Sequence, residues 1–140
     1  MRNRPQRGST LMEFALAWPI VLALVMGFVQ VVIWATESFE VRVAALAGAR
    51  AATVVGASPD VAVAVALRTL APGMFGVGLG AWCPGQPPSS MPQVWVCARD
   101  VGSAVEVTIG GAAPALVPLQ ARQGLPLHAD VILQREVFAG

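Results

Sequence analysis

The side chains able to act as nucleophiles, bases or soft metal ligands near neutral pH are few in this sequence. There are two cysteines, Cys83 and Cys97, and one histidine, His128. A cysteine nucleophile needs a base and a group that orients the base, and a structural zinc site takes four ligands, so this set is too small for either. The glycine-rich stretch 76–80 lacks the G-x-G-x-x-G spacing of a nucleotide site. We therefore expect no enzyme, no cofactor, no metal and no small-molecule substrate.

A second group of chemically able residues lies at the N-terminus, where three arginines precede Gly8 and Ser9. Gly8 has no Cβ to obstruct a protease that holds the chain extended. A cut after Gly8 would remove residues 1–8 and leave a free ammonium on Ser9. Glu13 lies four residues further on, inside the edge of an apolar run. A carboxylate there could attract such an ammonium.

The apolar run is long enough to cross a bilayer. From Phe14 to Ala35 the only strongly polar side chain is Gln30, and a helix of this length reaches about 33 Å against a bilayer core of about 30 Å. A signal peptide has an apolar region of roughly 7–15 residues, so the run is too long for one. Arginines precede the run and two glutamates follow it. The positive-inside rule therefore places the N-terminus in the cytoplasm and the rest of the chain outside.

The order of residues at this boundary matches a known leader. The sequence from Arg7 to Pro19 resembles the class III signal peptides of type IV-like pilins, and more closely the TadE-like pseudopilins of tight-adherence (Flp) pilus systems. Those proteins have a short basic leader, a glycine before the cut, glutamate as fifth mature residue, an aromatic sixth and a proline about one turn later. Gly8, Glu13 and Phe14 occupy the matching positions. The resemblance covers the N-terminal third well and the rest faintly.

The resemblance implies a minor pilin or pseudopilin that takes part in assembling a tight-adherence pilus from the bacterial inner membrane. Prepilin peptidase would cut between Gly8 and Ser9, and Glu13 and Phe14 would dock an adjacent subunit. Capping of its own helix is the alternative role for Glu13. The implied partners are the peptidase, the major pilin, a sister pseudopilin and membrane lipid. A signal-anchored extracytoplasmic binding or scaffold domain that never enters a pilus remains the alternative, and removal of the leader separates the two.

Composition excludes two other classes of protein. Hydrophobic residues make up 56% of the 140 residues and charged residues only 12%, which is too apolar for a disordered chain. The formal net charge is +1, so there is no basic field that would hold nucleic acid.

One long helix is expected to carry the membrane segment and the stem above it. The membrane part is residues 9–35 and the extracytoplasmic stem is residues 36–56, which contains no proline and is rich in alanine. A helix ending near Val55 would be about 70 Å long. Phe39, Val43 and Leu46 form an apolar stripe along it, and Gly48 could admit a neighbouring backbone.

Residues 57–140 are expected to form a small α+β head. Ser58 and Pro59 are typical of a helix start, and Pro72-Gly73 of a stop, so a second short helix lies between them. The glycine- and proline-rich stretch 72–92 is expected to be an irregular loop. A small antiparallel sheet of about three strands follows. Its predicted strands are Gln93–Ala98, Ala104–Ile109 and Asp130–Phe138, with a turn at 100–103 between the first two. Gly110-Gly111 is expected to end the second strand. The segment 112–127 is then expected to cross a face of the sheet before the last strand.

The two cysteines lie in the part of the chain placed outside the membrane. Thiols are usually oxidised there. We therefore predict a disulfide between Cys83 and Cys97 that ties the loop to the first strand.

Overall fold

Two helices pack on one face of a four-stranded sheet. The computed structural model describes residues 9–54, 57–74, 76–113 and 124–135. The predicted leader 1–8, the end of the stem at 55–56, the middle of segment 112–127 and Phe138 lie outside these residues. The elements are α1 Ser9–Thr53, α2 Pro59–Leu70, β1 Leu79–Ala81, a 3₁₀ turn Pro88–Ser90, β2 Val94–Val101, β3 Ala104–Ala113 and β4 Leu125–Gln134.

The long helix is confirmed as one element of 45 residues that continues through Pro19. Among the described residues, this helix is long and apolar enough to be a candidate membrane span. Only its second half belongs to the head. There Val41, Ala44, Ala45, Ala49 and Ala52 are fully buried against α2 and the sheet.

The second helix begins at Pro59 as predicted, with Ser58 as its N-cap residue. The Ser58 side chain makes no capping hydrogen bond, but its carbonyl accepts one from the Val61 N–H at 3.1 Å. Ala62, Ala66 and Leu70 recur every four residues and face the core. Because its partner α1 has Gly48 at the crossing point, α2 approaches α1 closely.

The sheet has the order β1-β2-β3-β4. Strands β2, β3 and β4 form the predicted antiparallel sheet. The expectation of a wholly irregular stretch 72–92 was wrong, because β1 pairs in parallel with Val94–Val96. An edge strand is hydrogen-bonded on one side only, so it can form from a short glycine-containing sequence whose composition is typical of a loop.

The glycine pair at the end of the predicted second strand lies inside β3. Gly110 pairs with Trp95 and Gly111 with Val94, and β3 continues to Ala113. A Cβ at Gly110 would overlap the Trp95 ring, and Gly111 has φ +151°. The glycines therefore permit close packing and an unusual backbone angle, and they do not end the strand.

The other strand limits also moved. β4 starts five residues before the predicted Asp130, at Leu125, so both ends of segment 112–127 belong to strands. The turn between β2 and β3 is confined to Gly102-Ser103 because β2 extends to Val101. The inward faces of the strands bury Val94, Val96, Val105, Val107 and Ile109 under the two helices.

Candidate functional site: the apolar segment and the groove above it

The first half of α1 exposes its large side chains. We call residues 12–34 the apolar segment. Phe14, Leu24 and Phe28 are 64%, 69% and 71% exposed, and no residue of the most apolar stretch is buried within the chain. A continuous apolar surface of this size is not stable in water. Lipid or other protein must therefore cover it.

The two predicted docking residues lie at the start of this segment. The Phe14 ring stacks on the Trp18 ring, one turn further on, with 5.8 Å between the ring centroids. Glu13 is exposed and lies four residues after Ser9, the first residue of α1. Gly8, on the other side of the predicted cut, lies outside the described residues. The structure therefore places Ser9, Glu13 and Phe14 at one end of an exposed helix and leaves the cleavage itself a prediction.

The apolar segment joins the head without a linker. At its upper end, the Trp34 indole Nε1 donates a hydrogen bond to the Pro126 carbonyl of β4 at 3.2 Å. Three residues later, Glu37 is already buried within the head, with 8% exposure. Trp34 is thus a contact between the helix and the sheet.

A pair of carboxylates, the two glutamates that follow the apolar run, lies in this junction. Glu37 and Glu40 are three residues apart on α1, and each has a buried Oε2 with no hydrogen-bond partner among the described residues. Burial, and then the neighbouring Glu40 carboxylate, raises the pKa of Glu37. Glutamates at i and i+3 on an apolar helix were the signal that could have revealed the pair.

Glu40 lines a small groove on the side of α1 next to the end of α2. We call it the Glu40 groove; its volume is about 170 Å³. The Glu40 carboxylate packs so closely on Gly73 that a Cβ there would overlap it. The groove is lined by Phe39, Glu40 and Val43 of α1 and by Thr69, Pro72 and Gly73.

The predicted apolar stripe of the stem does not face the head. Phe39 is 68% exposed and Val43 is 43% exposed, and Leu46 is only half-buried. The core instead receives the alanine face of α1. Small residues let the helix lie close to the sheet and to α2, which leaves the bulky stripe outside.

The two cysteines form the predicted disulfide, with 4.9 Å between their Cα atoms. It joins the segment after β1 to β2. Next to it, the Trp82 ring packs edge-on against the Trp95 ring at 5.3 Å between centroids. A cleft of about 390 Å³ separates this segment from α2.

His128 is exposed on β4, and no group of three or more His, Cys, Asp or Glu in the described part of the chain is arranged to hold a metal.

The chain thus combines a helix that is a candidate membrane span with a small disulfide-bonded α+β head. Residues 8–50 match the sequence model of the TadE-like protein family. The match begins at Gly8, spans nearly all of α1 and confirms the resemblance for that third of the chain. The TadE-like family is a structural family associated with tight-adherence pilus systems. No curated protein and no solved structure matches the chain.

Proposed function

We propose that the chain is a minor pilin or pseudopilin that takes part in assembling a tight-adherence pilus. The observation that carries this proposal is the position of the family match, which begins at the predicted cleavage residue, Gly8, and runs to Arg50. In this proposal residues 1–8 are a leader, 9–35 cross the inner membrane, 36–56 form the stem and 57–140 form the external head.

Prepilin peptidase would act on the cytoplasmic side and release the amine of Ser9. A carboxylate at the centre of a membrane span costs about 2.5–3.5 kcal/mol to insert, and less at the edge. Attraction between that carboxylate and an ammonium about 4 Å away is roughly 4 kcal/mol at an effective dielectric near 20. Pairing of Glu13 with the Ser9 amine of an adjacent pilin or pseudopilin would therefore offset the burial of both charges.

Leader removal is tested with Gly8→Val. The branched side chain crowds the bond to be cut, so we expect normal membrane insertion with residues 1–8 retained. Intact-mass analysis of protein from membranes that contain the peptidase measures this. Wild-type protein that keeps residues 1–8 in such membranes would refute the proposed function.

Subunit docking is tested with Glu13→Gln in a strain that lacks the wild-type copy. We expect normal expression, insertion and processing, with loss of surface pili and of co-purification with the major pilin and the sister pseudopilin. Glu106→Gln is the matched control, because the same chemical change is then made on β3, outside the apolar segment. Normal piliation by Glu13→Gln would show that the charge serves only its own helix.

The alternative is a signal-anchored binding or scaffold domain outside the membrane. The cleft between α2 and the disulfide-bonded segment is the observation that favours it, because Leu67, Trp82 and Gln86 give it an apolar wall with a polar side chain. A retained leader together with normal piliation in a strain without this protein would support the alternative.

A further inference from the structure

We propose that α1 of a second copy of this chain packs over the Glu40 groove and that Arg42 of that copy pairs with Glu40. The inference rests on the proposed function, because it uses the pairing of Ser9 with Glu13 between neighbouring subunits. It adds a second contact about 40 Å further along the same helices, by the rise per residue, and it names the occupant of the groove.

The described residues that line the groove include the Glu40 carboxylate and no positive charge. The buried Oε2 of Glu40 has no hydrogen-bond partner among the described residues. Glu37 lies three residues earlier on α1, outside the lining of the groove, and adds a second carboxylate nearby whose Oε2 also has no such partner. The groove also lies where α2 ends, and the free carbonyls at a helix C-terminus add negative partial charge. Arg68, in the last turn of α2, makes no ion pair with either glutamate. A half-buried carboxylate in such a place would be stabilised by a cation from outside the fold.

The chain carries an arginine suited to this role. Arg42 is exposed on α1 and makes no ion pair within the described residues. It lies beside Val43, and the apolar rim of the groove is formed by Phe39 and Val43. Arg42 of one copy is therefore complementary to Glu40 of the other. The guanidinium can hydrogen-bond to the carboxylate while the apolar side chains beside each of them exclude water.

One axial shift satisfies both contacts. If an outer copy is displaced by four residues of helix, about 6 Å, its Ser9 is level with Glu13 of the inner copy. The same shift brings Glu40 of the outer copy level with position 44 of the inner copy, about half a helical turn beyond Arg42. It also places the exposed Phe39 of the outer copy beside the exposed Val43 of the inner one. Parallel helices at this offset therefore pair charge with charge and apolar with apolar.

The test is a charge exchange between two differently tagged full-length copies, expressed together in the strain that makes the protein and purified from its membranes in detergent. With Glu40→Arg in both copies, or Arg42→Glu in both, like charges face each other. We expect co-purification of one copy with the other to fall at least about tenfold in each case. When one copy carries Glu40→Arg and the other Arg42→Glu, opposite charges meet again, and we expect association to recover.

Arg50→Glu is the matched control, since Arg50 is also an exposed arginine on α1 but lies more than two turns beyond Arg42. We expect it to leave association unchanged. Glu40→Gln removes the charge and keeps the shape, so a tenfold loss with this variant argues against misfolding as the cause. Formation of the Cys83–Cys97 disulfide in every variant checks that the head has folded.

Several results would overturn the inference. The first is that wild-type copies fail to co-purify. The second is that the copies with Glu40→Arg and Arg42→Glu do not associate with each other. The third is that association depends on a sister subunit and not on a second copy. Leader removal and the phenotype of Glu13→Gln are measured separately. A processed, piliated strain in which the charge exchange has no effect would therefore refute this contact and leave the proposed function standing.

Discussion

Replacing Gly48 by alanine tests whether α1 and α2 are in direct backbone contact. A Cβ at this position would lie 2.7 Å from the Ala62 carbonyl oxygen and 3.1 Å from the Ala66 Cβ. Neither neighbour is the end of a flexible side chain, so α2 itself must move away from α1. That movement would loosen the packing of Leu70, the largest fully buried side chain of α2.

Two opposing effects set the size of the change. Alanine gains about 1 kcal/mol over glycine in helix propensity, and overpacking of a well-packed interior costs about 1–3 kcal/mol. Because the overlap is with backbone, we expect the cost at the upper end of that range and a net loss of about 1–2 kcal/mol. For a domain of 60–100 residues, each kcal/mol corresponds to a fall in Tm of about 4–8 °C.

The assay is thermal unfolding of the purified full chain in detergent micelles, followed by near-ultraviolet circular dichroism. Gly27→Ala is the matched control, because Gly27 lies on the same helix and a Cβ there meets nothing within 4 Å. We expect Gly27→Ala to leave the Tm of the head unchanged. If Gly48→Ala is as stable as Gly27→Ala, the helices are not in backbone contact and the packing argument is refuted.

Two further predictions concern the head. Removing the disulfide with Cys83→Ser and Cys97→Ser together is expected to lower the free energy of unfolding by about 3 kcal/mol, since the bond closes a loop of about 15 residues. A reductant should lower the stability of the wild-type protein by the same amount. Equal stability of the wild type with and without reductant would contradict the prediction. Glu37→Gln is expected to stabilise the detergent-solubilised monomer at pH 7.5 and to have little effect near pH 4. The raised pKa means that the folded state holds a proton at pH values where the unfolded state has lost it, so wild-type stability falls as pH rises above the ordinary value of 4.5 through the folded pKa. Parallel Tm curves for wild type and Glu37→Gln between pH 4 and pH 7.5 would show that Glu37 titrates normally.

The sequence was sufficient for those parts of the fold that local signals specify. Ser58 and Pro59 marked the start of α2, and the three longer strands were predicted, although their limits and their order in the sheet were established only by the structure. Strand β1 was missed because its partner, Val94–Val96, specifies it and its own composition does not. The role of Gly110 was missed for a similar reason, since the ring that packs on it belongs to Trp95, on another strand.

The candidate site likewise has one part that the sequence could predict and one part that required the structure. The N-terminal motif is contiguous, so Gly8, Glu13 and Phe14 could be aligned with a family by sequence alone. The Glu40 groove needed the fold, because Gly73 and Thr69 come from the other helix. The sequence predicted an apolar stripe through Phe39 and Val43, but it did not indicate which side of the stem faces the head. The head instead receives alanine, because close approach to α2 requires small side chains and outweighs the greater transfer free energy of the larger ones.

The continuity of α1 determines how movement of the membrane segment would reach the head. The helix has no break between Ser9 and Thr53, and the head contacts it from Trp34 onward. An axial displacement of the apolar segment would therefore move Glu37, Glu40 and Arg42 by the same distance. Two neighbouring copies cannot adjust the register of Ser9 on Glu13 independently of the register of Arg42 on Glu40. A subunit placed one helical turn out of register would lose both ion pairs together, so the upper contact would enforce the offset that the lower contact sets.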